Sequence, residues 1–210
     1  MAERLSSPDL IRRLRAERVI AVLRAVSAAD LERQLAICSN AGVAMIEITT
    51  TTPEWYSVAR DFGASNTSGA HTLGIGTVTT VAAAELAESL DAQFLVSPYG
   101  VPDVRALRTK AVLIEGAFTP GEFAALATRS SIAKLFPASS GGVSHLRAVR
   151  DVLPELEIMP TGGVSIETAP SWIAAGALAV GLGGGLFSHS TQAIADFVGA
   201  MRDAAPLASE

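Results

Sequence analysis

The stretch from residue 18 to residue 49, RVIAVLRAVSAADLERQLAICSNAGVAMIEIT, contains the pattern that decides the fold. Two short apolar runs, RVIAVLR (18–24) and VAMIEIT (43–49), enclose a segment whose apolar residues recur at helical spacing. Ser27, directly before this segment, is a typical helix start signal. Runs that are apolar on both faces predict parallel strands covered by helices. The stretch therefore predicts a strand–helix–strand unit.

The same alternation continues along the rest of the chain. Strands are predicted at 18–24, 43–49, 71–77, 93–97, 111–116, 132–136, 156–160 and 178–184. Helices are predicted at 28–41, 53–62, 80–90, 102–108, 119–128, 142–152, 165–175 and 190–203, with an additional N-terminal helix at about 8–16. Four of them open with start signals: Ser27, Thr52-Pro53, Thr119-Pro120 and Ser165. Eight strand–helix units favour a closed (β/α)8 TIM barrel over an open doubly wound sheet, because no GxGxxG follows the first strand. We expect residues 1–210 to form this barrel as a single domain, since no linker or low-complexity tract interrupts them.

The composition argues against several classes of partner. A net charge of −5 and a pI near 5.3 argue against binding to nucleic acid. No apolar run approaches the ~20 residues of a membrane span, and the charged N-terminal segment has no apolar signal core. The chain has one cysteine, Cys38, in an apolar helical pattern, so an intrachain disulfide is excluded. We therefore expect a cytoplasmic protein without a nucleic-acid or membrane partner.

The histidines do not indicate a metal site. His71, His145 and His189 share no spacing typical of metal ligands, and no paired-carboxylate pattern accompanies them. We expect no metal, and the two tryptophans, Trp55 and Trp172, are interpreted as packing residues on helices.

Polar residues at the carboxyl ends of the predicted strands are the candidates for a functional site, because barrel chemistry lies at those ends. They are Arg24, Glu47, Thr49 to Thr52, Thr77, Ser97, Glu115, Lys134, Thr161 to Gly163, and Gly183 to Gly185. These residues follow eight different strands, as a convergent site would require.

Two of these residues carry charge inside apolar strands. Lys134 lies within SIAKLFP (131–137), and it is one of only two lysines in the chain. Burial disfavours the ammonium form, so a neutral amine becomes accessible and could attack a ketone to form an imine; the alternative is a lysine that reaches solvent. Glu47 interrupts AMIEITT in the same way. The two could converge, with Glu47 moving protons, or they could form a structural ion pair without chemistry.

Two glycine clusters follow the seventh and eighth predicted strands, TGGV (161–164) and GLGGG (181–185). Backbone N–H groups in such loops commonly bind phosphate or carboxylate in barrels. The alternative is that the glycines only permit tight turns between strand and helix.

A series of motifs in chain order resembles a known family. The motifs are VIAVLR, AGVAMIEIT, IGTVTT, AQFLVSP, GAFTPGE, AKLFPAS, PTGGVS and AVGLGGGLF, from about Val19 to Phe187. They resemble the 2-keto-3-deoxy-6-phosphogluconate aldolases and the related 6-phosphogalactonate and 4-hydroxy-2-oxoglutarate aldolases. The resemblance implies a (β/α)8 barrel, often a homotrimer, and a class I aldolase that needs no metal or other cofactor. It implies that Lys134 is the Schiff-base lysine and that Glu47 is the general acid and base.

The resemblance also implies substrate-binding residues. Arg24 and Thr77 match positions near the pyruvyl carboxylate, and Pro98 and Phe136 match residues that line the pocket. The positions that match the loop around the distal part of the substrate, including its phosphate, are Thr161, Gly162 and Gly163.

Three positions depart from the family pattern. Thr51 stands where many phosphogluconate aldolases carry an arginine, and Gly183-Gly184 stands where a Gly-Ser pair is common. Glu115 replaces a usual proline and is predicted to add negative charge near the barrel mouth. These changes should weaken affinity for a dianionic phosphate.

The expected reaction is reversible cleavage of a 2-keto-3-deoxy-6-phospho-sugar acid, of gluconate or galactonate type, to pyruvate and glyceraldehyde 3-phosphate. This is an aldehyde-lyase reaction. Two alternatives stay open at this point. One is the same mechanism on 4-hydroxy-2-oxoglutarate or an unphosphorylated keto-deoxy acid; the other is a non-catalytic barrel that binds a small anion. The sequence does not determine the stereochemistry of the substrate.

Overall fold

Strands and helices alternate along the chain in the computed structural model, which describes residues 4–204. The strands are β1 (Val19–Leu23), β2 (Met45–Thr49), β3 (Thr72–Gly76), β4 (Phe94–Val96), β5 (Val112–Ile114), β6 (Gly116–Ala117), β7 (Ile132–Leu135), β8 (Glu157–Pro160) and β9 (Val180–Leu182). The α-helices are α1 (Ser7–Glu17), α2 (Ala28–Asn40), α3 (Trp55–Ser65), α4 (Val81–Ser89), α5 (Pro102–Ala106), α6 (Pro120–Ala127), α7 (Ala138–Val152), α8 (Ala169–Ala174) and α9 (Thr191–Asp203). A 3₁₀ helix, Gly184–Ser188, follows β9.

The strands form a curled parallel sheet in two segments. One segment has the order β5-β4-β3-β2-β1-β9, and the other has the order β6-β7-β8. At one edge the chain passes directly from β5 to β6 through Glu115, and at the other the Leu178 N–H donates to the Ile158 carbonyl at 2.9 Å. The predicted parallel α/β architecture is thus confirmed.

Two apolar clusters occupy opposite faces of the sheet, because successive side chains of a strand point to opposite sides. The outer cluster packs the strands against helices α2 to α9. The opposite face carries a second set, the inner cluster, which includes Ile20, Val22, Met45, Phe94, Val96, Ile114, Ile132 and Met159. Leu10 and Leu14 of α1 belong to the inner cluster and are fully buried. α1 therefore covers the inner face, whereas the other helices cover the outer face.

Two of the predicted helix starts are confirmed. The Ser27 side chain accepts a hydrogen bond from the Asp30 N–H and caps α2. Thr119 and Glu122 form a reciprocal capping box at α6.

The other two predicted starts are wrong. α3 begins at Trp55 instead of after Thr52, because the Thr52 hydroxyl accepts a hydrogen bond from the Ala25 N–H of the neighbouring loop. α8 begins at Ala169 instead of after Ser165. Pro170 has no N–H, so the turn at 165–168 cannot continue into the helix.

The predicted fifth strand is divided in the structure. β5 pairs with β4 and β6 pairs with β7, so the chain changes partners at Glu115. α7 consists of two helical segments that meet at Gly142, whose φ of 67° is not helical, so the second segment corresponds to the helix predicted at 142–152. None of the helices between residues 4 and 204 combines the length and the apolar character that crossing a bilayer requires.

Candidate active site

The structure brings the two predicted charged residues together. Glu47 lies on β2 two residues after Met45, and Lys134 lies on β7 two residues after Ile132. Both side chains therefore point to the same face as the inner cluster. Lys134 Nζ lies 3.8 Å from Glu47 Oε1, and their side chains are 6% and 1% exposed. The amine and the carboxylate are a buried, facing pair.

The environment of the Glu47 carboxylate differs from that of most buried polar groups, which are hydrogen-bonded. Within the described part of the chain, neither of its oxygens has a hydrogen-bond partner. Gly76 on β3 leaves the space for it, because a Cβ at that position would lie 2.6 Å from Glu47 Cδ. An unsatisfied buried carboxylate is costly, so its proximity to the Lys134 amine compensates part of that cost. Lys134 Nζ also lies 5.2 Å from the centroid of the Phe136 ring.

Arg24 and Thr77 form a second polar pair at the ends of β1 and β3. Arg24 Nη2 donates to Thr77 Oγ1 at 3.3 Å, and the Arg24 side chain is exposed. Thr77 adopts a left-handed backbone conformation with a φ of 57°. The Thr50 hydroxyl donates to the Thr77 carbonyl oxygen at 2.8 Å. The structure thus joins the two residues predicted to lie near the pyruvyl carboxylate.

Thr51 belongs to a group of threonine hydroxyls that follows β2. Its Oγ1 lies 3.1 Å from Thr49 Oγ1, and Thr49 Oγ1 lies 3.3 Å from Thr52 Oγ1. The Thr49 hydroxyl also donates to the Leu23 carbonyl at 3.2 Å. Thr51 therefore supplies a hydroxyl that is tied to its own loop and carries no charge.

The two predicted wall residues are half-buried at the ends of β4 and β7. The Pro98 carbonyl packs against Gly116, where an added Cβ would overlap it. The Phe136 ring packs against Gly162, whose added Cβ would lie 3.1 Å from the ring. Gly162 has a φ of 90°, a conformation that residues with a side chain rarely adopt, so its backbone favours glycine.

The two glycine loops follow the neighbouring strands β8 and β9. Thr161 and Gly181 form a parallel bridge, and the buried Thr161 Oγ1 has no hydrogen-bond partner among the described residues. The Thr161 and Gly162 carbonyls accept hydrogen bonds at 2.9 Å from the first residues of α7. Gly163 contacts Ser139 closely. Gly183 and Gly184 border open space, since an added Cβ at either position would meet no atom within 4 Å.

The predicted effect of Glu115 on the barrel mouth is wrong. Its carboxylate accepts hydrogen bonds from Arg105 at 2.7 and 2.9 Å, from Arg129 at 3.5 Å and from the Val101 N–H at 2.7 Å. Burial by itself would raise the pKa of Glu115, but the hydrogen bonds from Arg105 and Val101 and the two guanidinium charges outweigh it and lower that pKa. Ile114, the preceding residue, faces the inner cluster, so Glu115 points to the opposite side, where its charge is neutralised.

The glycines of β3 are site residues to which the sequence analysis assigned no role. Gly74 and Gly76 both lie on the inner side of the strand, where added Cβ atoms would overlap Phe94 and Glu47. The signal was present in TLGIG, because glycines two apart in a strand indicate close approach of other groups.

The histidines and the cysteine are engaged elsewhere. His71 Nδ1 lies 2.8 Å from the Val43 carbonyl oxygen, His145 Nε2 lies 2.6 Å from the Phe118 carbonyl oxygen, and His189 faces Glu167 at 4.0 Å. Between residues 4 and 204, no group of three or more acidic, histidine or cysteine side chains is arranged to hold a metal ion. Burial raises the pKa of the Cys38 thiol to about 12.

Comparison with known proteins places this geometry in a family. The family model described as KDPG and KHG aldolase matches residues 10–198. The chain is 35% identical over 179 residues to the probable 2-dehydro-3-deoxy-6-phosphogalactonate aldolase of Rhizobium meliloti (strain 1021), covering 83% of this chain and 84% of that protein. It is 28% identical over 197 residues to the 2-dehydro-3-deoxy-6-phosphogalactonate aldolase of Escherichia coli (strain K12), covering 89% and 95%.

A solved structure supports the same assignment at the level of the fold. The 2-keto-3-deoxy-6-phosphogluconate aldolase of Zymomonas mobilis ZM4 superposes with a TM-score of 0.81 at 23% identity, covering 98% of this chain and 100% of that one. Because the family model spans nearly the whole chain and a relative above 30% identity covers most of it, the chain belongs to the KDPG and KHG aldolase family.

Proposed function

We propose that this protein is a class I aldolase, an aldehyde-lyase in which Lys134 forms the Schiff base and Glu47 moves the protons. The observation that carries the proposal is the 3.8 Å approach of a buried amine to a buried carboxylate from different strands. A purely structural ion pair would be expected to satisfy the carboxylate with further hydrogen bonds, and Glu47 has none within the described residues. Membership of the KDPG and KHG aldolase family supports the same proposal.

The reaction begins at the ketone carbon of the substrate. The neutral Lys134 amine attacks C2 to form a carbinolamine, and loss of water, assisted by proton transfer from Glu47, leaves a protonated imine. Glu47 then accepts the proton of the C4 hydroxyl, the C3–C4 bond breaks, and its electron pair moves to the imine to give an enamine. The aldehyde leaves as the C4 carbonyl forms. Protonation of the enamine at C3 and hydrolysis release pyruvate and the free amine.

The remaining site residues are proposed to hold the two ends of the substrate. Arg24 and Thr77 would bind the carboxylate, because an arginine and a hydroxyl 3.3 Å apart can both donate to it. The Thr51 hydroxyl, Pro98 and Phe136 would line the pocket between the two ends. The distal phosphate would lie against the glycine loops, near Thr161, Gly162, Gly163, Gly183 and Gly184. The unsatisfied Thr161 hydroxyl supports this orientation.

The preferred substrate is a 2-keto-3-deoxy-6-phospho-sugar acid of gluconate or galactonate type, which yields pyruvate and glyceraldehyde 3-phosphate. The names of the relatives from Rhizobium meliloti and Escherichia coli support a phosphorylated six-carbon acid. One observation favours a second candidate, the same chemistry on 4-hydroxy-2-oxoglutarate or an unphosphorylated acid: Thr51 provides no cation for a phosphate, and Gly184 provides no hydroxyl. Comparing kcat/KM for phosphorylated and unphosphorylated acids separates the two candidates.

We also propose that the chain forms a single domain, one closed (β/α)8 barrel with α1 as an extra helix at one end. The passage of the chain through Glu115 from β5 to β6, together with the Leu178–Ile158 hydrogen bond and the Thr161–Gly181 bridge at the other edge, supports closure. The packing of Leu10 and Leu14 onto the inner cluster supports the place of α1. A homotrimer and a cytoplasmic location are proposed from the family resemblance. Light scattering on the purified protein measures the oligomeric state directly.

The decisive experiment is borohydride trapping with pyruvate followed by peptide mass spectrometry. We expect a covalent adduct on Lys134 that disappears in Lys134→Ala. The chain offers a matched control, because Lys110→Ala removes its only other lysine and should leave the adduct unchanged. Absence of an adduct on Lys134, under conditions that trap a known class I aldolase, would favour the non-catalytic anion-binding barrel.

A further inference from the structure

Thr50, in the loop after β2, holds the end of the neighbouring strand β3 at two successive residues. Its backbone N–H donates to the Gly76 carbonyl at 2.9 Å, and its side-chain hydroxyl donates to the Thr77 carbonyl at 2.8 Å. Neither contact reaches the Lys134–Glu47 pair. Thr50 therefore acts on the backbone that carries Thr77, not on the reacting groups.

The backbone at Thr77 requires such support. Its φ of 57° lies in the left-handed region, which a β-branched residue adopts only when the surrounding structure imposes it. The peptide that follows Thr77 is held at both of its polar atoms. Its carbonyl accepts from the Thr50 hydroxyl, and its N–H, which belongs to Val78, donates to the Val96 carbonyl at 3.0 Å. This conformation directs the Thr77 hydroxyl toward Arg24, 3.3 Å away.

Thr49, the last residue of β2, and Thr52, in the loop after it, hold the backbone around Arg24, the other member of this pair. The Thr49 hydroxyl donates to the Leu23 carbonyl at 3.2 Å, and the Thr52 hydroxyl accepts from the Ala25 N–H at 3.2 Å. These contacts fix the backbone on both sides of Arg24. The loop after β2 thus connects the two donors through side-chain hydroxyls, and Thr50 supplies the contact on the Thr77 side.

We propose that Thr50 is a positioning residue for the substrate carboxylate: its hydroxyl maintains the left-handed conformation of Thr77 that pairs the Thr77 hydroxyl with Arg24. The inference rests on the proposed function, because it assumes that Arg24 and Thr77 bind the pyruvyl carboxylate. Without the Thr50 hydroxyl, the Thr77 carbonyl loses its side-chain donor and the strained backbone relaxes. The carboxylate then meets Arg24 without a properly oriented hydroxyl, whereas Lys134 and Glu47 stay in place.

The test compares two ketones that differ in the carboxylate. Wild type, Thr50→Val and Thr50→Ser are incubated with pyruvate or with acetone, and the rate of borohydride-trapped adduct on Lys134 is measured by mass spectrometry. Thr50→Val keeps the shape of the side chain and removes the hydroxyl, whereas Thr50→Ser keeps the hydroxyl. For Thr50→Val we expect a roughly tenfold loss of trapping efficiency with pyruvate, the effect of weakening one hydrogen bond to a charged group. We expect no more than a twofold change with acetone, and Thr50→Ser should restore trapping of pyruvate.

A second readout covers the case in which acetone adducts form too slowly to measure. Deuterium exchange at the pyruvate methyl group, followed by NMR at several pyruvate concentrations, should show a raised KM and a nearly unchanged kcat in Thr50→Val. Equal losses of trapping efficiency with pyruvate and acetone would overturn the positioning role. A fall in the kcat of deuterium exchange without a rise in KM would also overturn it. Unchanged trapping of pyruvate by Thr50→Val would overturn it as well. A wild-type protein that traps no pyruvate would overturn the proposed function itself, and this inference with it.

Discussion

Replacing Gly76 with alanine should disable the site without changing any residue that contacts substrate. An added Cβ at this position would lie 2.6 Å from both Cγ and Cδ of Glu47. Non-bonded carbon atoms prefer separations of about 3.5–4.0 Å, so the carboxylate has to move by roughly 1 Å. Glu47 lies 3.8 Å from the Lys134 amine, and a movement of that size takes it out of reach of the protons it transfers.

We expect Gly76→Ala to lower both the reaction rate and the stability of the fold. Misplacement of a catalytic group by about 1 Å costs on the order of 100-fold in rate. Inserting a methyl group into a well-packed interior also costs about 1–3 kcal/mol in the free energy of unfolding. The first effect should appear in kcat and in deuterium exchange at the pyruvate methyl group, since both require proton transfer. The second should appear in the thermal melting temperature.

Gly74→Ala is the matched control for this variant. Gly74 lies two residues earlier on β3, on the same side of the strand, and an added Cβ there would lie 2.5 Å from Cδ2 of Phe94 instead of near Glu47. We expect a similar loss of stability and much less loss of kcat. The reasoning would be refuted if folded Gly76→Ala kept the wild-type exchange rate, or if Gly74→Ala lost as much activity.

Three further predictions concern other parts of the site. Glu47→Gln should form the trapped imine more slowly and should lose about 10²–10⁴-fold in deuterium exchange at the pyruvate methyl group, because the group that donates and accepts the protons is gone. Retention of fast exchange would exclude Glu47 as the base. Glu115→Gln should lower the free energy of unfolding by about 1–3 kcal/mol near pH 7, because it removes charge-assisted hydrogen bonds to a partly exposed Arg105. The pKa of Glu115 is lowered in the folded state, so its contribution to the free energy of unfolding is complete above the usual pKa of 4.5 and is lost as the pH falls through the folded-state pKa. The melting temperatures of the wild type and the variant should therefore converge in acid. Gly184→Ser adds a hydroxyl at a position where no atom lies within 4 Å of the new Cβ. It should raise kcat/KM for the phosphorylated acid at least about fivefold relative to kcat/KM for the unphosphorylated acid. An unchanged ratio of the two values would place the phosphate elsewhere.

The fold was largely predictable, because hydrophobic periodicity depends on local sequence. Helix starts were correct where the capping hydroxyl had no competing partner, as at Ser27 and Thr119. The start at Ser165 was wrong for a local reason, because Pro170 has no N–H, whereas the start at Thr52 was wrong because of a tertiary contact. Thr52 has the residue type of a cap, but its hydroxyl is bound to the Ala25 N–H of another loop. The predicted fifth strand was divided because its two halves pair with different neighbours.

The two charged residues of the site were also predictable, since Lys134 and Glu47 are exceptions within apolar strands. Their 3.8 Å approach was not, because it depends on the curl of the sheet that brings β2 and β7 face to face. The same holds for Glu115, whose charge the sequence analysis placed at the mouth. Only the alternation of side chains along the folded strand shows that it points outward to Arg105 and Arg129.

The sequence by itself therefore determined the parallel α/β architecture, the identity of the buried charged pair and the family resemblance. The tertiary structure decided which groups from distant parts of the chain contact each other. It placed Gly76 beneath Glu47, joined Arg24 to Thr77, and made Thr50 the support of Thr77. The physical reason is that residue type and spacing control local conformation, whereas hydrogen bonds and overlaps between distant strands depend on their register and on the direction of each side chain.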